Sequence, residues 1–407
     1  MSRPLLAIVE THPVQYHAPV WRRAAQLGVD LQVIYGADFS VRGYHDREFG
    51  ASFVWDGDLL AGYRHQFLST QAEDYTQVDA HGLSQALEAL EPTAVLALGH
   101  HHRLDVAAQR WARRHQVGLW FRGEVNETSR RLQRRWLPME WLRALRLRRR
   151  YRAVEYCLPI GRRALEHYQR MGVPAHRLIA SPYAVDPSAF RCLEEDRSLL
   201  RAQARRQAGI DEGALVVAFS GKLSQRKGVH LLPAAMNRLA AVMDRPLALL
   251  LIGDGELRET LSGASKVGQT WTCHCTGFVN QGEISRWYHA ADVLTLPSLW
   301  GETWGLVVND ALHHGLPVVV SDAVGCAPDL VRLGSTGEVC AAGDVDSLWQ
   351  ALREVLRWSG LDAAHKRREC REQVQGCSVE AAALGLLEAW RRHGSGLSQN
   401  PSEALTR

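Results

Sequence analysis

Two acids and a glycine stand out as residues that could do chemistry together. Glu302 lies in a loop just before Gly305, and Asp310 follows Glu302 by eight residues. A glycine-bearing turn that leads into a helix presents free backbone N–H groups and the positive end of the helix dipole, which suits an anion. Carboxylates beside such a site suit sugar or ribose hydroxyls, which donate hydrogen bonds. The alternative is that Glu302 only favours the helix dipole and that Asp310 is a solvated helix residue.

The elements that position these residues can be predicted from the surrounding stretch, residues 292–325. DVLTL is a short apolar run that ends at Pro297, and it predicts a strand. A helix is expected over residues 306–314, followed by Gly315 as its C-terminal cap and by Pro317. LPVVVS then predicts a buried parallel strand.

Two series of alternating strands and helices make up most of the chain. The predicted strands of the first series are LLAIVE, VDLQVIY, AVLALG, VGLWFR, VEYCLPIG and RLIASPY, and those of the second are ALVVAFSG, LALLLIG, TWTCHCTG, DVLTLP and LPVVVSD. This alternation predicts an α/β fold with two doubly wound, Rossmann-like domains. We expect a first domain over residues 1–190 and a second over 191–377. Residues 378–407 should form a C-terminal helix, for which the first domain is a candidate packing partner, and a flexible tail from Gly394.

Polar or glycine-rich residues follow the predicted strands of both series. Ligands of open parallel sheets bind outside the carboxyl ends of the strands, so these residues are the candidates for binding. They lie at positions 11–12, 100–102 and 122–124 of the first series, and at 220–222, 253–255, 297–302 and 321–322 of the second. Two such edges predict one cleft between two facing domains.

Four segments of the second series carry a family resemblance. In chain order they are FSGKLSQRKGVHLL, LLLIGDGELRETL, TGFVNQGEISRWYHAADVLTLPS and GETWGLVVNDALHHGLPVVVSDAVG. Together they resemble the donor-binding domain of the GT-B-fold retaining glycosyltransferases of family 4, also called glycosyltransferase group 1. The resemblance covers roughly residues 214–339, and the first domain is similar in pattern only. It implies a GT-B architecture, with the acceptor bound by the first domain and a nucleotide sugar by the second.

The resemblance also implies roles for individual residues. Lys222 and Lys227 match the family's basic pair, usually Arg then Lys, that holds the donor diphosphate; Glu302 matches an acid near the transferred sugar. These three are the candidate catalytic residues. Asp310 stands where the family carries a glutamate that binds the ribose hydroxyls, and it is one methylene shorter. The other candidate donor-binding residues are Ser220, Gly221, Gly253, Gly255, Phe278, Asn280, Thr303, Trp304, Gly305, Leu306 and Val307. Core packing is the alternative for Phe278.

The implied reaction moves a sugar from a nucleotide diphosphate sugar to a hydroxyl, with retention of anomeric configuration. Negative charge grows on the departing diphosphate, so catalysis needs cations and oriented N–H groups there. Lys222, Lys227 and the helix that begins near Gly305 could meet that need, and no metal or other cofactor is expected. In the front-face mechanism proposed for such enzymes, the leaving phosphate oxygen takes the acceptor proton, so no base is assigned.

Candidate acceptor-binding residues lie in the first domain. They are His12, Gln15, His17, His100, Arg122 and Glu124. Bracing of the loop after the first strand is the alternative for the first three. The run of histidines at 100–102 could bind a metal, but adjacent residues point in different directions, which favours acceptor contact or a capped strand end.

Residues 129–152 are strongly basic, with tryptophans and leucines between the arginines. They predict a peripheral contact with anionic membrane lipids, which would suit a lipid-linked acceptor. The alternative is a helix whose apolar side packs on its own domain and whose arginines are solvated.

The overall composition narrows the functional class. The 407 residues carry a net charge of only +4 and eight cysteines, and no apolar run approaches about 18 residues. A disulfide scaffold and a membrane span are therefore not expected, and a cytoplasmic location, with possible attachment to the inner membrane face, fits.

The expected role is the synthesis of cell-envelope polysaccharide, exopolysaccharide or glycolipid, by transfer of a sugar from a nucleotide sugar to a saccharide or lipid-linked acceptor. The competing interpretations are another GT-B enzyme, such as a nucleotide-sugar epimerase or an inverting transferase, and a basic nucleic-acid-binding protein; no nucleic-acid partner is expected.

Overall fold

The structure is a computed structural model of the chain, and it describes residues 4–46, 51–53, 57–125, 137–263, 270–358 and 363–399. Two α/β domains follow one another, each built on a six-stranded sheet. Every pairing between neighbouring strands within these two sheets is parallel. The predicted fold, two doubly wound domains with parallel sheets, is confirmed.

Within the described residues, the first domain contains eight strands and six helices. The strands are β1 Leu6–Glu10, β2 Leu31–Ala37, β3 Tyr44–Asp46, β4 Ala51–Phe53, β5 Arg64–Ser69, β6 Ala94–Ala97, β7 Gly118–Phe121 and β8 Tyr156–Cys157. The helices are α1 Ala18–Gln26, α2 Phe39–Arg42, α3 Leu83–Leu90, α4 Arg103–Arg114, α5 Leu137–Arg152 and α6 Arg162–Arg170. The sheet order is β5-β2-β1-β6-β7-β8, and β3 and β4 form a separate antiparallel hairpin.

The second domain follows two short 3-10 turns, Ala175–Arg177 and Pro187–Ala189. Its strands are β9 Leu215–Ser220, β10 Leu247–Ile252, β11 Trp271–Gly277, β12 Val293–Leu296, β13 Val318–Ser321 and β14 Gly337–Cys340. Its helices are α7 Glu194–Ala208, α8 Leu232–Ala240, α9 Arg258–Ser262, α10 Gln281–Ala290, α11 Val307–His313, α12 Ala327–Leu330, α13 Val345–Leu356 and α14 Ala363–Val374. The sheet order is β11-β10-β9-β12-β13-β14.

The strand order determines where each domain can hold a ligand. In each sheet the chain order of the strands reverses at the first strand of the domain. β1 lies between β2 and β6, and β9 lies between β10 and β12. The carboxyl ends of the strands at such a switch point border a crevice. Every residue of β1, β9 and β10 is buried, because helices cover both faces of these central strands. The rigid centre of each sheet therefore supports the loops that leave its carboxyl edge.

The structure differs from the strand prediction in four features, the first of which is the unpredicted hairpin of β3 and β4. β5 and β14 were not predicted, and both are edge strands; β5 has the polar sequence RHQFLS and none of its residues is fully buried. The expected strand RLIASPY forms only an isolated bridge, from Leu178 to Cys157. Edge strands lack a second hydrogen-bonded neighbour and need no continuous apolar run, so their sequence signal is weak.

A last helix, α15 Val379–Gln399, returns to the first domain. Ala382, Ala383 and Leu386 are buried in the same core as β1 residues, and Glu380 forms an ion pair with Arg23 of α1. The expectation of a flexible tail from Gly394 is wrong for the described part, because the helix continues to Gln399. The buried ring of His393, bonded to Glu155 at 2.9 Å, anchors that last part. Within the described residues, no helix is both long and apolar enough to cross a bilayer.

Candidate active site

Lys227 and Glu302 form an ion pair at the carboxyl edge of the second sheet. Lys227 ends a 3-10 turn that follows β9, and Glu302 lies in the loop after β12. β9 and β12 are neighbours, so their following loops meet at this edge. The Ser298 hydroxyl donates a hydrogen bond of 2.9 Å to Oε2 of Glu302. Glu302 is 8% exposed and paired with Lys227, so a favourable interaction with the helix dipole does not by itself account for this acid.

Gly305 makes the turn from that loop into α11. Its φ is +102°, and an added Cβ would press on Leu296 and Val324, so glycine is required there. Val308 is the first residue after Gly305 whose N–H group donates a hydrogen bond within this turn, to the Gly305 carbonyl at 2.9 Å. The N–H groups of the preceding residues, including the candidates Leu306 and Val307, are not used by the helix and suit an anion. The helix begins and ends one residue inside the predicted bounds.

Asp310 lies one turn into α11 and is buried, so the interpretation as a solvated helix residue is wrong. Burial raises the pKa of its carboxyl to about 7, and the neighbouring Tyr288 hydroxyl acts in the opposite direction. Its Oδ1 atom has no hydrogen-bond partner among the residues that the structure describes. Burial is the largest cause of the raised pKa of the Tyr16 hydroxyl in the first domain. The charges of Asp310 and, more weakly, Glu302 raise it further, which shows that Tyr16 lies near both acids. An unused acceptor at this depth suits a ligand hydroxyl.

The two loops after β9 and β10 pack backbone against backbone. Gly253 has a φ of +146°, and an added Cβ would overlap the carbonyl oxygen of Gly221. The backbone of Gly255 approaches Leu223 in the same way. Ser220 is buried at the end of β9 and Lys222, two residues on, is half-buried. These candidates therefore form one continuous edge with the Lys227–Glu302 pair.

Other predicted donor-binding residues lie at the ends of this edge. Phe278 and Asn280 follow β11, next to β10, and both are half-buried. Trp304 is buried; its ring nitrogen donates to Asn309 at 2.8 Å, and its ring lies edge-on to Tyr183, at 6.1 Å between centroids. The Trp304 side chain therefore packs between the domains.

A chain of hydrogen bonds joins the two domains. Glu10, at the end of β1, bonds Nδ1 of His17 at 2.6 Å, and Nε2 of His17 lies 3.1 Å from the Tyr183 hydroxyl. The Tyr183 hydroxyl donates to Glu124. The second oxygen of Glu124 accepts from the Thr303 hydroxyl of the second domain at 2.6 Å. The chain brings a candidate acceptor residue next to the candidate donor loop.

A cavity of about 650 Å³ opens beside this chain, and we call it the first-domain cavity. Four of the candidate acceptor-binding residues line it together with Thr303; they are His17, His100, Arg122 and Glu124. Ligand sites of this size bury most of a small molecule. The arrangement puts a substrate-sized space directly beside the ion-paired edge of the second domain.

Two of the six acceptor candidates do not line the first-domain cavity. The His12 ring packs at a tilt against Phe39, with 4.6 Å between the ring centroids, and burial lowers the pKa of its imidazole to about 4. Gln15 lines a separate cavity of about 350 Å³, with Gln281 on the other side. Arg122 lines the first-domain cavity, but its guanidinium donates to the Ser181 and Pro182 carbonyls and mainly holds the interdomain segment.

The three histidines at 100–102 diverge. His100 stacks on Phe121, while Nδ1 of His102 accepts the Leu104 N–H and caps α4. Asp-x-Asp, a metal-binding pattern, occurs at residues 56–58 and 344–346. In the second, Asp344 caps α13 and Asp346 pairs with Arg238. In the described ranges, no group of three His, Cys, Asp or Glu side chains is placed to share an ion.

The basic stretch lies partly outside the described residues, which resume at 137. Within α5, Trp141 is 67% exposed and Leu142 is 47% exposed. Arg143, Arg146 and Arg150 line the first-domain cavity. The sequence assigned these arginines to a membrane or to solvent, and their place in the cavity was missed.

Some residues of the site carried no sequence signal. Tyr183 lies in the interdomain segment without a motif, Glu10 is the last residue of a strand, and Ser298 and Tyr288 occur within matched segments but were not singled out. Tyr16 follows Gln15 in a loop that was predicted to border the cleft. Tyr16 and Ser298 could have been found, because both lie in strand-end loops that were already candidates.

The second domain matches the model of a known protein family. Residues 201–375 match the family model described as Glycosyl transferases group 1. An uncharacterized glycosyltransferase of Methanocaldococcus jannaschii is 31% identical over 157 residues, 38% of this chain and 39% of that protein. The D-inositol 3-phosphate glycosyltransferase of Mycobacterium marinum is 29% identical over 200 residues, 47% of this chain and 41% of that protein. The chain therefore spans less than half the length of these curated relatives.

The structural likeness extends over both domains. The crystal structure of Anabaena HepE in complex with UDP covers 98% of this chain and 100% of its own, with a TM-score of 0.66 and 15% identity. At that identity the likeness shows the fold alone. The chain has the GT-B architecture, two Rossmann-like domains that face each other across a cleft.

Proposed function

We propose that the protein is a retaining glycosyltransferase, which moves a sugar from a nucleoside diphosphate sugar to a hydroxyl of an acceptor. The observation that carries the proposal is the largely buried Lys227–Glu302 ion pair, because Glu302 lies on the loop that reaches the first domain through Thr303 and Glu124. The match of residues 201–375 to the group 1 glycosyltransferases supports it. A UDP-bound structural neighbour of the same fold supports a nucleoside diphosphate as the donor's leaving group.

The donor diphosphate would lie against the carboxyl edge of the second sheet. Lys222 and Lys227 supply cations, and the N–H groups that precede Val308 supply oriented dipoles. These groups act where charge grows as the glycosidic bond to the phosphate breaks, so they stabilise the transition state more than the bound donor. In this proposal no metal ion is required. Asp310, with its unused buried oxygen, accepts from a ribose hydroxyl.

The acceptor would occupy the first-domain cavity. Glu124 borders this cavity and bonds Thr303, so its carboxylate can accept a hydrogen bond from the attacking hydroxyl. The departing phosphate oxygen takes the proton of that hydroxyl on the same face of the sugar, which retains the anomeric configuration. We place the reaction in envelope polysaccharide or glycolipid synthesis, on the cytoplasmic side, with α5 as the candidate membrane contact.

A thermal-shift screen of nucleoside diphosphates and their sugars tests the proposal. A ligand at 100 times its Kd stabilises the folded chain by about 2.7 kcal/mol, so the cognate donor should raise the Tm measurably. The Lys227→Met variant should lose that shift. NMR of the first transfer product should then show the donor's anomeric configuration. Absence of stabilisation by every nucleotide, or an inverted product, would contradict the proposal.

A further inference from the structure

A separate cavity of about 270 Å³ lies at the amino edge of the second sheet, and we call it the amino-edge cavity. Its lining includes Asp292, which directly precedes β12, and residues 315–317, which directly precede β13. Glu302 follows β12 and Lys227 follows β9, and these strands run parallel. The amino-edge cavity and the Lys227–Glu302 pair therefore lie at opposite edges of one sheet.

The lining of the amino-edge cavity is strongly basic. Its charged residues are the cations Arg197, Arg201, Arg245, Lys366 and Arg367 and the acid Asp292. Arg245 is exposed, and the other four cations are half-buried. Arg197 and Arg201 lie four residues apart on α7, which places them on one side of that helix. Leu316, Pro317, Val355 and Trp358 add an apolar part to the lining.

Asp292 is already bonded through both of its carboxylate oxygens. Oδ1 accepts from Arg201 at 2.8 Å. Oδ2 accepts from Arg205 at 3.0 Å and from the backbone N–H of Val216 at 2.9 Å. The acid of the lining therefore balances arginines other than Arg197.

The remaining cations of the lining also have partners. Glu194 lies between two arginines of α14, with Oε1 2.7 Å from Arg367 and Oε2 2.8 Å from Arg371. Lys366 pairs with Glu369 at 3.2 Å and donates to the Gly334 carbonyl at 2.6 Å. Arg245 donates through Nε and Nη2 to the carbonyl of Gly213.

Arg197 is the exception in this lining. In the part of the chain that the structure describes, no residue accepts a hydrogen bond from its guanidinium or forms an ion pair with it, and its Nη1 atom is buried. Burial, and then the charges of Arg367 and Arg201, lower the pKa of Arg197 to about 10, while Asp292 and Glu194 act in the opposite direction. The guanidinium is therefore still charged at pH 7. A desolvated cation without a hydrogen-bond acceptor is costly, so the site favours an anion.

We propose that the amino-edge cavity is a second anion site, which binds the phosphate group of a small molecule with Arg197 as hydrogen-bond donor. A phosphate monoester carries a charge of about −1.5 to −2 at pH 7, which suits a lining of several cations better than a single carboxylate does. The planar fork of arginine matches phosphate oxygens. The small volume and the apolar part of the lining fit a phosphate with a short carbon chain.

Two variants of one helix test the site. R197M removes the unpartnered cation, and R206M removes an exposed arginine of α7 that does not line the cavity. Calorimetry at constant ionic strength measures binding of inorganic phosphate and of glycerol 3-phosphate, with glycerol as the uncharged control. We expect at least a tenfold weaker affinity for both phosphates in R197M and less than a twofold change in R206M.

Stability without ligand gives a second measurement. Because Arg197 has no hydrogen-bond partner to lose, R197M in phosphate-free buffer should keep or raise the Tm, and phosphate should raise the Tm of the wild-type chain more than that of R197M. R197K, which keeps the charge and loses the planar fork, repeats the binding test if R197M does not fold. K227M, at the other edge of the sheet, should keep its phosphate affinity within twofold.

Several results would overturn the inference. They are no phosphate binding by the wild-type chain, unchanged binding in R197M, or an equal loss in R197M and R206M, which would indicate diffuse attraction to a charged surface. Loss of phosphate binding in K227M but not in R197M would place the phosphate at the donor edge instead. Dihexanoyl phosphatidic acid, a monomeric lipid phosphate, compared with glycerol 3-phosphate distinguishes a lipid from a soluble source, and R197-dependent binding of either supports the site.

Discussion

Replacing Lys227 by methionine removes the cation beside Glu302 and keeps most of the side-chain volume. In the wild-type chain the lysine side chain is 15% exposed and that of Glu302 is 11% exposed, so water screens the pair only weakly. After the change, the glutamate keeps the hydrogen bond from Ser298 but loses its counter-charge. The variant should therefore be less stable and should also bind the donor diphosphate poorly.

The two effects have different expected sizes. Removal of one partner of a buried pair costs about 3–5 kcal/mol, and because both groups keep some exposure we expect roughly the lower limit. For a domain of this size, that loss lowers the Tm by about 6–12 °C. Loss of one group that stabilises a developing anion reduces kcat by about 10²–10³-fold.

A double-mutant cycle separates stability from activity. K227M/E302Q removes both charges, so it should recover most of the stability that K227M loses, with a coupling energy above about 1 kcal/mol, yet remain inactive. Arg392→Met is the control, because Arg392 and Glu388 form an ion pair on a helix surface, with side chains 46% and 47% exposed, and the change should cost less than about 1 kcal/mol. The measurements are thermal unfolding and the initial rate of sugar transfer. Additive stability changes, or K227M activity within tenfold of wild type, would refute the reasoning.

Three further predictions follow from the site. Because burial raises the pKa of Asp310 to about 7, the folded chain binds an extra proton between about pH 4 and 7 and loses stability as the pH rises through this range. Asp310→Asn should therefore raise the Tm at pH 8 and leave it nearly unchanged at pH 4. The same change in Tm at both pH values would contradict this. Gly253→Ala should lower the Tm strongly, since its Cβ would overlap backbone, whereas Gly376→Ala, with open space around it, should not. Glu124→Gln should reduce the transfer rate at least tenfold while the donor-induced Tm shift persists; loss of that shift would place Glu124 in the donor site.

Much of the fold follows from pattern. The buried runs of β1, β9 and β10 are apolar except for Glu10 and Ser220 at the strand ends, and a parallel sheet covered on both faces is the main structure that such runs build. The prediction failed at the sheet edges, where β5 is polar and only two of the four residues of β14 are buried. It also ended the last helix too early, because the contacts of His393 with Glu155 join residues far apart in sequence.

The donor side of the site could be proposed from sequence because its parts are local. Strand ends, a glycine turn and a helix start each have a signature within a few residues, and their order along the chain carries the family resemblance. Asp310 illustrates the limit. Its spacing from Glu302 was visible, but its burial and raised pKa depend on Tyr288 and on the packing around α11.

The sequence by itself determined the α/β class, the two parallel sheets and the loops that lie at their carboxyl edges, since hydrophobic period and turn residues are local properties. Only the tertiary structure decided which polar residues meet. The contact of Glu124 with Thr303 spans 179 positions, and no periodicity records it. The same holds for the arginines of α5, which form a continuous basic run in sequence. Arg143 and Arg150 are half-buried and line the first-domain cavity, whereas Arg148 and Arg149 are exposed, because a helix turns each successive side chain by about 100°.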